Sequence, residues 1–342
     1  MALPLKLQLA EGFREVAPRA CGRQLLWDEN GEFRYAQTDF LTPRTFGYLG
    51  GVDCPLAVDA ARGVAWAYCC QYRLGVRDYS DIREFDLATG RSRRVLRLGL
   101  RQWALWLLAH WPGTDTLIAL VATDTRNDAI FVRHHLAVID TKTSQLHLIP
   151  LPRDAFAPLA WCPRRKWIIF HGAEGTHLVS FTGRNLLTLP SGGPLGRGAD
   201  IHPHKPLALI GGDGIWLWNL ESGAIRCLRE RGQYPRWTPD GTGCWFSESS
   251  SDLFHLNIET GAEQRLLRVA GNSFTEINYA RPITADAEGR HLALPLTRLL
   301  KTDPTVAASS VTLSRIHKLC VVDLVAREAW LAEGYARHMA WA

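Results

Sequence analysis

The chain has 342 residues, a formal net charge of +5, 46% hydrophobic and 21% charged residues. That balance suits a globular protein with a sizeable core, and so mild a charge does not call for a nucleic-acid partner. No apolar run approaches the roughly 18 residues of a membrane helix, and residues 1–16 lack the apolar centre of a signal peptide, so a cytoplasmic protein without membrane insertion is expected.

Thirteen Trp against two Met suggest wide aromatic layers between stacked sheets. The eight cysteines, Cys21, Cys54, Cys69, Cys70, Cys162, Cys227, Cys244 and Cys320, form no C-x-x-C pair, and several sit inside apolar strands. They read as reduced, mostly buried thiols.

In chain order, one short motif recurs: an apolar run ending in Asp or Asn, then a turn closed by Gly or Ser. It occurs at Asp28–Gly31, Asp86–Gly90, Asp140–Ser144, 180–183 (shortened), Asn219–Gly223, Asn257–Gly261 and, degenerate, at Asp323. Asp and Asn can bond their own backbone two residues on, and Gly accepts positive φ, so each copy reads as a hairpin. A second turn precedes each of six apolar strands: Asp59 to Gly63, Trp111-Pro112-Gly113, Cys162-Pro163, His202-Pro203, Thr238-Pro239-Asp240-Gly241 and Asp286 to Gly289.

Residues 234–268 show the whole unit: four apolar runs and three turns, a four-stranded antiparallel sheet with strands in the order A, B, C, D. Six such units span about residues 54–332. Residues 334–342 resemble an A strand with nothing after it, and residues 1–40 offer a hairpin with no A strand before it. The ends complement each other. The expected architecture is therefore a single all-β domain over 1–342, a seven-bladed β-propeller. Its last blade would be closed by residues of about 1–40 and 334–342, leaving no exposed sheet edge around the ring. Strands such as Ile215-Trp216-Leu217-Trp218 are apolar on both faces, as a sheet covered on both sides requires.

The apolar-x-Pro-Asp-Gly turn followed by a strand and a D/N-x-x-[ST]-G hairpin resembles the WD-like, TolB-type propeller repeat, a bacterial-type pattern. Similar repeats occur in tricorn protease, prolyl oligopeptidase propellers and oligogalacturonate lyase. The resemblance implies the fold; these rings host binding modules and enzymes alike. The chain lacks a G-x-S-x-G elbow, which argues against a peptidase of the prolyl oligopeptidase kind.

Tyr234-Pro235-Arg236, Tyr279-Ala280-Arg281 and Tyr335-Ala336-Arg337 each open a predicted A strand in three successive sheets, with Arg101 and Arg197 near equivalent positions in two others. Guanidinium groups gathered at one channel mouth would bind an acidic group. Repeat inheritance, with each Arg paired to a local Asp, is the structural alternative. The predicted B–C connections 71–80, 124–133 and 300–315 are long and carry Arg73, Arg77, Arg126, Arg133, Lys301 and Arg315 on the same face. Long loops commonly carry function.

His134, His135, His177, His317 and His338 could reach that face but lack ligand spacing, and no catalytic residue, metal site or cofactor is expected. The expected function is a non-enzymatic, monomeric scaffold binding another protein or peptide through the loop-rich face. The alternative is an enzyme or binding protein for an acidic small molecule, such as an acidic sugar, acting like oligogalacturonate lyase at the channel mouth.

Overall fold

The computed structural model describes the chain except for residues 1–5, 20, 22, 30–31, 37–43, 49–55, 74–75, 100–101, 112, 125–131, 152–154, 163, 173–174, 191–197, 249–251, 271–272, 275–282, 301–313 and 334–338. Every regular element among the described residues is a β-strand. No helix there is long and apolar enough to cross a membrane.

Six sheets are wound from consecutive antiparallel strands. The first holds Leu56–Asp59, Val64–Arg73, Val76–Asp86 and Ser92–Leu98. The second holds Gln102–His110, Thr116–Asp124, Val132–Asp140 and Leu146–Pro150. The third holds Ala155–Cys162, Trp167–Gly172, Gly175–Ser180 and Asn185–Pro190, and the fourth Ala199–Ile201, Leu207–Gly211, Ile215–Asn219 and Ile225–Arg229. The fifth holds Gln233–Trp237, Gly243–Glu248, Asp252–Asn257 and Glu263–Ala270. In the sixth, two short pieces, Ser273–Phe274 and Thr284–Ala285, both pair with His291–Leu300, which continues to Ser314–Asp323 and Glu328–Glu333.

A further sheet joins the two ends: Met339–Trp341 pairs with Leu25–Glu29, followed by Glu32–Ala36 and Arg44–Tyr48. This corrects the reading of Asp28–Gly31. Leu25–Glu29 pairs with the C-terminal strand on one side and Glu32–Ala36 on the other, so these two strands are B and C, not C and D.

The first residues leave that sheet altogether. Lys6–Leu9 adds a fifth strand to the outer edge of the fifth sheet, pairing Lys6 with Ala270. Arg14–Glu15 lies parallel to Glu328–Glu333 on the edge of the sixth. This strap gives two outer strands a partner. Arg14 and Arg19 pair with the buried Glu328, and Arg19 lies 3.7 Å from Asp323.

The repeated hairpin follows from its chemistry. Asp140 Oδ1 accepts the N–H groups of Lys142 and Thr143, Asn219 Oδ1 those of Glu221 and Ser222, and Asn257 Oδ1 those of Glu259 and Thr260. The turn at Asp323, irregular in sequence, has the same build. Its carboxylate takes the N–H groups of Val325 and Ala326, and Arg327 adopts the φ of 54° that Gly261 adopts at 71°.

A–B and C–D turns share one face, where hydrogen bonds join them: Leu87 N–H to Gly63 O at 2.9 Å, Leu220 N–H to Pro206 O at 2.8 Å and Ile258 N–H to Thr242 O at 3.0 Å. B–C and D–A connections therefore share the other.

The core lies between sheets. In Thr116–Asp124, residues 117–122 are all fully buried. Leu117, Ala119 and Val121 pack with Trp66 and Ile82 of the first sheet, while Ile118 and Leu120 pack with Ile168 and Phe170 of the third. Period-two alternation thus sends successive side chains to opposite neighbours. Leu25 and Trp27 likewise pack among Ala293, Val321 and Trp330, and Leu26 among Ala65, Ala67 and Phe85. Each fully buried Trp contributes about 2–3 kcal/mol by burial alone. The arrangement is an all-β propeller of small antiparallel sheets.

Candidate functional site

The B–C face is uneven. B and C strands have six residues each in the third and fifth sheets and five each in the fourth. They have 10 and 11 in the first, nine and nine in the second, and 10 and 10 in the sixth. At about 3.3 Å per residue, the longer hairpins stand roughly 10–15 Å higher.

The first of them corrects an expectation. Of residues 71–80, read as a loop, 71–73 and 76–80 are ladder: Gln71 pairs with Tyr79, Tyr72 with Arg77 and Arg73 with Val76. Its Tyr and Val content suits strand, and the polar residues had masked it. Arg77 thus sits in the strand Val76–Asp86. Arg133 lies opposite Thr123 at the raised end of the second sheet and is exposed. Arg315 pairs with Leu299. Arg126 and Lys301 lie outside the described residues.

Of the Tyr-x-Arg pattern, Tyr234 and Arg236 lie within the described residues. Tyr234 is buried, with a φ of 53° at a bulge between Gln233 and Arg236. Its backbone lies so near Gly198 that a Cβ there would come within 2.9 Å of Tyr234 Cα. The turn hydrogen bonds Thr238 N–H to Gly243 O and Asp286 N–H to His291 O fix the register of two strands, and Ala342 N–H to Gln24 O fixes a third. Arg236 precedes its turn residue, Thr238, by two positions. Tyr279, Arg281, Tyr335, Arg337, Arg101 and Arg197 lie outside the described residues.

Arg236 instead reaches the A–B-turn end of the channel. Its Nη1 lies 3.3 Å from Asp200 Oδ1 on the neighbouring A strand, the local pairing held open as the structural alternative. Asp200 Oδ2 accepts the Trp237 backbone N–H at 3.0 Å, and the Trp237 indole donates to the Asp200 carbonyl at 3.1 Å. Sequence reasoning missed Asp200. Aligning the repeats on Pro203 and Pro239 places Asp200 and Arg236 each two positions before their turn, so opposite charges at one height on adjacent sheets were the available signal.

Around this pair is a cavity of about 420 Å³, lined by Trp161, Ile201, Pro203, Arg236, Pro239 and Ala285 and by Asp200 and Asp286. Asp286 is buried and committed. Its Oδ2 lies 2.8 Å from His291 Nδ1, and Oδ1 accepts the Arg290 N–H at 2.8 Å. Burial raises the Asp286 carboxyl, but those hydrogen bonds outweigh it and hold the pKa below the usual carboxylate value. His202, beside Trp237 at 4.6 Å, accepts the N–H groups of His204 and Lys205 at Nδ1, and burial lowers its pKa. It serves as a turn anchor.

The other histidines are scattered. His177 Nδ1 lies 3.1 Å from Thr188 Oγ1, and His135 Nδ1 lies 3.4 Å from Thr123 Oγ1. Among the described residues no group of three or more His, Cys, Asp or Glu side chains is arranged to hold a metal ion.

No protein-family model matches the chain, and no curated protein matches it in sequence. Among solved structures it is similar to an oligogalacturonate lyase in complex with manganese, at a TM-score of 0.56 and 12% identity, over 86% of this chain and 93% of that one. At that identity the likeness shows the propeller fold alone.

Proposed function

We propose that this chain is a non-enzymatic propeller that binds another protein or peptide through its raised B–C face. The reading takes the sheets as a seven-bladed ring of the WD-like, TolB-like kind. The pairing of Leu25–Glu29 with Met339–Trp341 supports closure by the two ends. On that ring the sixth, end-joining, first and second sheets are consecutive.

The observation that carries the proposal is strand length. Three of those four sheets extend their B–C hairpins well beyond the third, fourth and fifth. A ladder costs less to present than a flexible loop, because its backbone is already ordered. Arg77, Arg133 and Arg315 lie on these extensions and favour an acidic partner. The free thiols, with Cys69, Cys244 and Cys320 buried, suit a reducing compartment such as the cytoplasm.

The test places a photo-reactive side chain at exposed Arg133 on the raised face and, separately, at exposed Glu259 in a C–D turn on the opposite face. Crosslinking in the native host should give one discrete adduct from position 133 and none from 259. Equal adducts from both positions, or none from 133, would overturn the proposal.

A further inference from the structure

We propose that the cavity at the opposite, A–B-turn mouth of the channel is a binding site for a small carboxylic acid with a flat apolar body. The inference does not depend on the raised face binding a partner.

The polar inventory of the cavity sets the ligand chemistry. Both oxygens of the Asp200 carboxylate are engaged, by Arg236 and by the Trp237 N–H. Both oxygens of Asp286 are engaged, by His291 and by the Arg290 N–H. Thr238 Oγ1 is tied to Asp240 and to the Gly243 backbone. Arg236 is different: it lines the cavity, its side chain is 23% exposed, and only Nη1 has a partner among the described residues. Nε and Nη2 remain as donors. Among the described residues, the side-chain chemistry left for a ligand is therefore a guanidinium edge, which matches the two oxygens of a carboxylate.

The rest of the lining includes several apolar side chains. Trp161, Ile201, Pro203, Pro239 and Ala285 present rings and methyl groups, and the space of about 420 Å³ lies in the range of small-molecule sites. A phosphate dianion would meet Asp200 and Asp286 with one arginine among the described residues to offset them, whereas a monoanion makes with Arg236 the pair that the guanidinium edge leaves open.

Asp200 acts as a positioning residue. Its contact with Nη1 restrains the guanidinium group and leaves Nε and Nη2 without a protein partner among the described residues. The same contact partly cancels the charge, so affinity is expected in the micromolar-to-millimolar range, roughly what one charge-assisted pair and a modest apolar contact supply.

The experiment titrates the full chain with phenylacetate, phenylacetamide and inorganic phosphate, following tryptophan fluorescence and calorimetric heat. Phenylacetate should saturate. Phenylacetamide, which keeps the shape but lacks the charge, should bind at least about tenfold more weakly, and phosphate should not saturate in the same range. Arg236→Gln should lose phenylacetate binding, and Trp161→Ala should weaken it severalfold, each checked for folding by thermal melting. Acid and amide binding equally to the wild-type protein would overturn the proposal without recourse to any variant. So would failure of phenylacetate to saturate at millimolar concentration, tighter binding of phosphate, or full retention of binding in a folded Arg236→Gln protein.

Discussion

Asp200 and Trp237 hold one another twice across two neighbouring sheets, once through the carboxylate and the Trp237 backbone N–H, and once through the Asp200 carbonyl and the indole N–H. Both residues are buried. Removing the carboxylate strands a buried N–H and leaves Arg236 without its counter-ion. Asp200→Ala is expected to lower unfolding free energy by about 2–4 kcal/mol. Asp200→Asn, which keeps an acceptor for the N–H, should recover part of that loss. Urea unfolding of the three proteins measures it.

Two glycines with nearly the same backbone separate strain from contact. Gly241 has a φ of 73° and Gly261 a φ of 71°. A Cβ at 241 would collide with the His202 imidazole, whereas nothing lies within 4 Å of one at 261. Gly261→Ala should cost about 1 kcal/mol from left-handed backbone alone. Gly241→Ala should cost about 1–3 kcal/mol more, because His202 is buried and anchored by two backbone N–H groups. Equal melting temperatures for the two variants would count against the turn-to-turn contact.

Acid should destabilise the sixth sheet first. His291 lies between Asp286 at 2.8 Å and Asp323 at 3.5 Å, all three buried. For both carboxyls burial raises the pKa, but hydrogen bonds and the neighbouring cations win and lower it. A carboxyl lowered in the folded state adds stability above its unfolded pKa of about 3.9 and loses it as pH falls through the folded value. The melting temperature should be nearly flat from about pH 5 to 7 and fall below about pH 4. In Asp286→Asn/Asp323→Asn the fall should be shallower; an unchanged slope would refute the assignment.

The N-terminal strap is expected to matter more than its position suggests. Leu7, Leu9 and Phe13 pack against the cluster that includes Trp245, Leu267 and Leu294. Glu328, at 2% exposure, depends on Arg14 and Arg19 for charge compensation. Arg14→Ala/Arg19→Ala should destabilise by about 1–3 kcal/mol, the exposed arginine side chains keeping the figure low. Adding Glu328→Gln should restore most of it, since no buried charge is then left. Denaturant midpoints with unchanged m-values would confirm that only stability moved.

Thiol reactivity should follow burial. Cys244 and Cys320 are fully buried; desolvation pushes the Cys244 thiol far up and the Cys320 thiol to about 12. Cys227 is exposed. An aromatic disulfide reagent should modify Cys227 in the native protein and reach Cys244 and Cys320 only with global unfolding. Peptide mapping after timed labelling gives the order.

Much of the fold was legible because its punctuation is chemical. Asn257, Asn219 and Asp140 cap their turns with their own side chains, so the residue type and the turn are the same fact. Both-face apolarity in Thr116–Asp124 likewise stated that a sheet lies on either side. Strand ends were less legible. Residues 71–80 carry as many polar groups as a loop, and only their cross-strand partners show that they extend a ladder.

The candidate sites divide along the same line. The sequence by itself determined the repeat, its turns and the alternation that sends Leu25 and Leu26 to different neighbours, because these depend on contacts a few residues apart and on a period of two. Only the tertiary structure decided that Lys6–Leu9 and Arg14–Glu15 leave the end-joining sheet for the edges of two others, since any outer strand offers the same hydrogen bonds. It alone decided that Arg236 faces Asp200 at the A–B-turn mouth. A bulge at Tyr234 shifts that register, and a bulge is set by packing against Gly198 on the neighbouring sheet, not by any residue beside it in the chain.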